Sequence, residues 1–113
     1  KRLLVLGRVK STEIANWINC ADVCLAPRTP GFYDEFYNDK DSTKISEYAA
    51  LHKPIVATGY YPSSQYLLVE STPNAFAEGI LKGLDGKVPP SKSHFWEDNE
   101  IELLNTLDSF FFE

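Results

Sequence analysis

The chain has few nitrogen or sulfur side chains that ligate metals: two cysteines and two histidines in 113 residues. Zinc centres draw about four nitrogen or sulfur ligands together, and here only His52 and His94, distant in sequence, could join Cys20 and Cys24. The cysteines therefore read as reduced, mainly structural residues of a cytoplasmic protein. No apolar run approaches the roughly 20 residues that cross a bilayer, and no signal-peptide pattern is visible, so the chain is expected to be soluble. Basic residues are also scarce. Eleven Lys and Arg stand against sixteen acids, a formal net charge of −5 with pI near 5.0, and no basic stripe forms. Recognition of a nucleic-acid backbone draws on clustered positive charge, which sets that partner class aside. The chain begins at Lys1 without an initiating methionine and enters an apolar segment at once, as a fragment of a longer protein would.

What is present is an alternation of apolar patterns. About 43% of residues are apolar, too many for a disordered segment, and the length suits one domain spanning 1–113. LLVLG at 3–7 reads as a first strand, with Gly7 permitting a sharp turn. Ser11 or Thr12 is placed to cap a helix carrying Ile14, Trp17, Ile18 and Ala21, and VCLA at 23–26 reads as a second strand. Ser42 opens a helix through Ile45, Tyr48 and Ala49, which Pro54 stops before a third strand at 54–58. YLLVE at 66–70 is the fourth. Thr72 then caps a helix with Pro73 at its first position and Phe76, Ala77, Ile80, Leu81 and Leu84 as its buried stripe. GKVPPSKSH reads as a linker to a last helix from Trp96 or Glu97, over about 96–112, whose apolar face holds Ile101, Leu104, Leu107, Phe110 and Phe111. The connections are long enough for helical crossovers between parallel strands. The expected class is α/β: a Rossmann-like, three-layer α/β/α arrangement with a parallel sheet of about four strands.

In an open parallel sheet, ligands collect beyond the carboxyl ends of the strands, at the helix N-termini they feed. That singles out DKDSTKISEYAALHKPIVAT, residues 39–58. Ser42 as cap and the free amides near Thr43 and Lys44 suit phosphate oxygens, and Glu47 can share a face with Lys44 and accept hydrogen bonds from a ribose diol. The plainer reading is a surface Lys44–Glu47 pair worth roughly 0.2–0.5 kcal/mol and an ordinary helix cap. Arg28, just past a strand end, is placed either to reach a phosphate or to pair with Asp34 or Glu35. The intervening PRTPGFYDEFYNDKD is long for a structureless loop. Its aromatic residues can stack on a base or acceptor, pack the loop, or face another domain. Its acids can form a solvated loop, a sugar contact or a cation site, although their spacing matches no calcium loop. Gly59, Tyr60 and Tyr61 can wall the same pocket.

The run of Lys44, Glu47, Tyr48, Ala50, Lys53, Pro54, Ile55 and Val56, preceded by ADVCLAP at 21–27, resembles the donor-binding signature of retaining glycosyltransferases with two facing α/β domains, the GT-B fold of glycosyltransferase group 1, family 4. The resemblance spans essentially the whole chain and is most specific at its centre. It implies a partial C-terminal, nucleotide-sugar-binding domain of an enzyme that moves a sugar from a nucleoside-diphosphate sugar to an acceptor hydroxyl. In such enzymes the second acid of a Glu-x7-Glu pair binds ribose, a role that would fall on Glu47. The first acid lies near the transferred sugar and would fall on Asp39, where this chain departs from the pattern by offering Asp; Glu35 is the alternative. Thr43, Lys44, Arg28 and Ser42 would meet the diphosphate. The resemblance implies no metal and no cofactor beyond the donor substrate. It also implies an acceptor domain outside this chain, toward which the last helix would pack, a parent that can associate peripherally with a membrane through a lipid acceptor, and little or no transfer by the fragment alone. Two rivals stay open: a nucleotide-sugar epimerase, which would share the fold and nucleotide contacts, and a noncatalytic α/β interaction module, in which Lys44 and Glu47 would be dispensable.

Overall fold

The computed structural model describes residues 3–29, 42–92 and 100–111. Their element order is α1 (Ile14–Asn19), β1 (Cys24–Ala26), α2 (Thr43–Ala50), β2 (Ile55–Ala57), β3 (Leu67–Leu68), α3 (Pro73–Leu84) and α4 (Glu100–Phe111). The strands form one parallel sheet in the order β1-β2-β3, with Leu25 opposite Val56 and Val56 opposite Leu67.

Side chains alternate across a strand, and here both faces are covered. On one face Cys24, Ala26, Ile55 and Ala57 pack with Ile45 of α2, Tyr60 and Tyr66, and with Ile18, Ala21, Tyr48 and Leu68 at the edge of the cluster. On the other face α3 lies against Val23, Val56, Leu67 and Val69. Ile55, Val56 and Ala57 are fully buried, as expected of a central strand in a parallel sheet with both faces covered. The result is a small three-layer, Rossmann-like α/β/α arrangement.

The helix ends follow their sequence signals. Ser42 caps α2, its hydroxyl accepting from the Ile45 amide at 3.3 Å, and Thr72 caps α3 by accepting from the Ala75 amide at 3.2 Å, with Pro73 at the first turn. Both helices close in a Schellman turn. In α2 the His52 and Lys53 amides bond to Ala49 and Tyr48 carbonyls, and in α3 those of Gly86 and Lys87 bond to Gly83 and Lys82. Gly86 takes the left-handed position at φ 73° in α3, and His52 takes it at φ 55° in α2. Thus α2 ends before Pro54, through His52.

Several expectations are corrected. Residues 3–7 form no strand; Leu3 and Val5 are each 80% exposed. A strand needs a paired neighbour, and no described strand bonds to this segment, so among the described residues the sheet has three strands where about four were expected. Only Leu67 and Leu68 of 66–70 join it. Neither Ser11 nor Thr12 caps α1, whose N-cap is Glu13 without a side-chain bond. The buried positions of α3 are Gly79 and Gly83, while Leu81 and Leu84 are exposed. Close helix–sheet approach requires the small residues to face the sheet, which turns the leucines outward. The segment expected as a linker is pinned: Ser91 is 2% exposed, and its hydroxyl and amide both donate to the Lys53 carbonyl, at 2.6 and 3.2 Å. The expected helix start at Trp96 or Glu97 lies outside the described residues.

A Cβ at Gly79 would sit 2.8 Å from Val56 Cγ1 and 3.1 Å from Val69 Cγ1. Gly79→Ala gains about 1 kcal/mol of helix propensity, against about 1–3 kcal/mol for overpacking stiff valines. The clash wins: urea unfolding of Gly79→Ala is expected at a lower midpoint than wild type, and Gly79→Leu is expected not to fold.

Candidate functional site

The carboxyl ends of β1 and β2 are held together by a polar clasp. The Thr58 hydroxyl accepts from the Arg28 amide and donates to the Arg28 carbonyl, each at 2.9 Å. Arg28 Nη1 donates to the Gly59 carbonyl at 3.1 Å, and Ser71 Oγ reaches the Arg28 carbonyl at 3.4 Å. Gly59 is at φ +75°, and a Cβ there would collide with the Arg28 carbonyl oxygen. Glycine is thus required for both conformation and space. Between this clasp and the first turn of α3 lies a cavity of about 270 Å³, bordered by Arg28, Thr29, Thr58, Ser71, Thr72 and Phe76 among others.

The N-terminus of α2 is a second feature. The Ser42 hydroxyl also lies 3.3 Å from the Tyr60 hydroxyl, so the β2–β3 connection touches the cap. Thr43 and Lys44 are exposed on the first turn. Tyr48, one turn further, donates to the Leu25 carbonyl at 3.0 Å. Cys24 and Ala26 bond to β2 through Pro54 and Thr58, so Leu25 points to the opposite edge of β1, and Tyr48 covers that carbonyl.

The third feature is a cavity of about 310 Å³ between α1 and α2, lined by Ser11, Ile14, Ala15, Ile18, Glu47, Ala50 and Leu51. Its lining residues are apolar apart from Glu47 and Ser11. Glu47 is half-buried there, so its carboxylate can serve as the polar anchor for a ligand with an apolar face.

The candidate residues therefore divide among three places. Arg28 belongs to the cavity below α3; Ser42, Thr43 and Lys44 to the tip of α2; and Glu47 to the α1–α2 cavity. Of these two cavities, the first is bordered by Arg28 and the second by Glu47. Asp39, Glu35 and the aromatic loop lie outside the described residues. Thr58, Ser71, Thr72 and Phe76 were not legible as lining residues; a threonine ending a strand was the available signal for Thr58, and the other three depend on where α3 docks. Among the described residues, no three His, Cys, Asp or Glu are grouped to hold a metal ion, no helix is long and apolar enough to cross a membrane, and every buried side-chain nitrogen or oxygen has a hydrogen-bond partner.

Burial pushes the Cys24 thiol above its ordinary value of 9.0, partly opposed by the nearby Lys53 cation. Burial likewise raises Tyr48, with smaller contributions from Cys24, Glu47 and Tyr60. Both are acids that ionise later in the folded chain than in the unfolded one. Their linkage therefore favours folding fully below the unfolded values and weakens it as pH climbs past about 9. The urea midpoint is expected to fall between pH 8 and pH 10.5, and less steeply in Tyr48→Phe. At pH 8 iodoacetamide is expected to alkylate exposed Cys20 while sparing Cys24.

Thr58→Val keeps the shape of the side chain but strips both bonds to the Arg28 backbone. It is expected to cost about 1–3 kcal/mol, measurable by urea denaturation.

No family model matches the chain, and neither a curated protein nor a solved structure matches it significantly. The arrangement is that of a Rossmann-like module of the kind that holds nucleotides and other ligands.

Proposed function

We propose that this chain is the donor-binding part of a glycosyltransferase that moves a sugar from a nucleoside-diphosphate sugar to an acceptor hydroxyl. The observation that carries the reading is the coupling of a Ser42-capped helix with Glu47 on its second turn, a residue that lines a largely apolar cavity against α1. A nucleoside has matching chemistry: a flat, weakly polar base and a vicinal diol that can donate two hydrogen bonds to one carboxylate. The amides of Thr43 and Lys44, with the Lys44 ammonium, sit where the positive end of the α2 dipole favours phosphate oxygens. Arg28 would provide a second cation as the diphosphate takes up charge on leaving, and Asp39 would meet the transferred sugar. The acceptor domain would be contributed from outside residues 1–113.

The test is calorimetric titration of the folded chain with UDP, GDP, ADP and their sugar conjugates. Saturable binding of one nucleotide family is expected. Glu47→Ala should weaken it by about tenfold or more, the consequence of losing at least 1.4 kcal/mol from a charged hydrogen-bonding partner, and Lys44→Ala should weaken the diphosphates more than the nucleoside. Binding that Glu47→Ala leaves unchanged, or folded protein that binds none of the nucleotides, would overturn this reading.

A further inference from the structure

The cavity of about 270 Å³ beside the first turn of α3 belongs to the helix that packs on the Val56 face of the sheet, whereas α2 packs on the Ile55 and Ala57 face. Its hydrogen-bonding capacity can be followed atom by atom, since a hydroxyl carries one proton and two lone pairs. Thr58 Oγ1 donates its proton to the Arg28 carbonyl and accepts from the Arg28 amide, which leaves one lone pair. Ser71 Oγ donates to the same carbonyl, which leaves its lone pairs. Thr72 Oγ1 accepts from the Ala75 amide and retains a second lone pair.

What these three lining residues offer is acceptor capacity, and that selects the ligand. An oxyanion needs donors, and the first turn of α3 supplies few: Pro73 has no amide proton, and the Ala75 and Phe76 amides already bond to Thr72. Arg28 Nη1 donates to the Gly59 carbonyl. An ammonium group would donate, but the Arg28 charge at the border of the cavity opposes it. A neutral compound bearing several hydroxyls meets neither objection. Phe76, together with Pro27 and Pro73, adds apolar lining that suits the C–H face of a saturated ring. Ligand pockets commonly run upward from about 300 Å³, so a cavity of about 270 Å³ suits one ring and not a whole nucleotide. From this we infer that the α3 cavity is a subsite for a neutral polyhydroxylated ring, a pyranose or a cyclitol, whose hydroxyl protons go to Thr58, Ser71 and Thr72 and whose apolar face packs on Phe76. The assignment uses neither Glu47 nor the tip of α2, so it stands apart from the nucleotide reading.

The test titrates the isotope-labelled full chain with glucose, mannose, galactose and myo-inositol, following backbone amide shifts by NMR. Weak but saturable binding of at least one ring is expected, with shifts at Ser71, Thr72 and Phe76, and the ring that binds separates pyranose from cyclitol. Phe76→Leu retains an apolar side chain without the aromatic face and should weaken binding about threefold or more. Ser71→Ala removes an exposed acceptor and should weaken it about threefold with the urea midpoint held near wild type. Glu47→Ala should leave the affinity unchanged, and inorganic phosphate should not move the Ser71, Thr72 and Phe76 amides. The inference is overturned by folded protein that binds none of the rings, by shifts confined to the cavity between α1 and α2, by wild-type affinity in folded Phe76→Leu or Ser71→Ala, by loss of ring binding in Glu47→Ala, or by phosphate saturably shifting the same amides.

Discussion

Burial of β2 on both faces is the constraint on which the rest of this structure depends. Three consecutive residues, Ile55, Val56 and Ala57, are sealed from water, and complete burial of a side chain such as isoleucine or valine stabilises a fold by about 1.5–3 kcal/mol. Each face makes a different demand. The Ile55 and Ala57 face takes bulky neighbours: Ile45, Tyr60 and Tyr66 converge there, with the two tyrosine rings 5.7 Å apart and tilted. The Val56 face takes a helix almost in backbone contact, which is why α3 turns Gly79 and Gly83 inward.

Those packing demands fix where polar chemistry can sit. A parallel sheet this short ends its strands together, so the β1 and β2 termini emerge side by side and must satisfy their backbone groups away from the ladder. Thr58 and Arg28 do so by bonding to each other, and Gly59 removes the Cβ that would prevent the approach. The first turns of α2 and α3 follow from the same ends, capped by Ser42 and Thr72. At the other end of the sheet the backbone is closed by a strap: Val88 and Ser91 are buried, Ser91 bonds to Lys53, and His52 Nδ1 lies 3.2 Å from the Ser91 carbonyl. This strap braces the end of the sheet opposite the Arg28–Thr58 clasp.

The unpaired apolar surface has a different character. Residues 3–6 and α4 expose leucines, a valine and phenylalanines without joining the core. Contiguous exposure of this kind marks contact surface more often than defect.

Local chemistry was legible in the residues themselves. Ser42, Thr72 and Pro73 announced two helix starts because capping uses only a side chain and the next three amides; Ile55, Val56 and Ala57 announced a buried strand through an unbroken apolar run. The position of Glu47 on α2 was legible for the same reason. Tertiary structure decided what depends on a distant partner. LLVLG has the pattern of a strand, yet a strand exists only when another pairs with it. The stripe of Leu81 and Leu84 had the right period but the wrong face, because the sheet selected glycine for closeness over leucine for hydrophobicity. That Arg28 borders a cavity against α3 and Glu47 one against α1 was likewise set by which face of the sheet each neighbouring helix covers, a relation between residues far apart in the chain that no local pattern records.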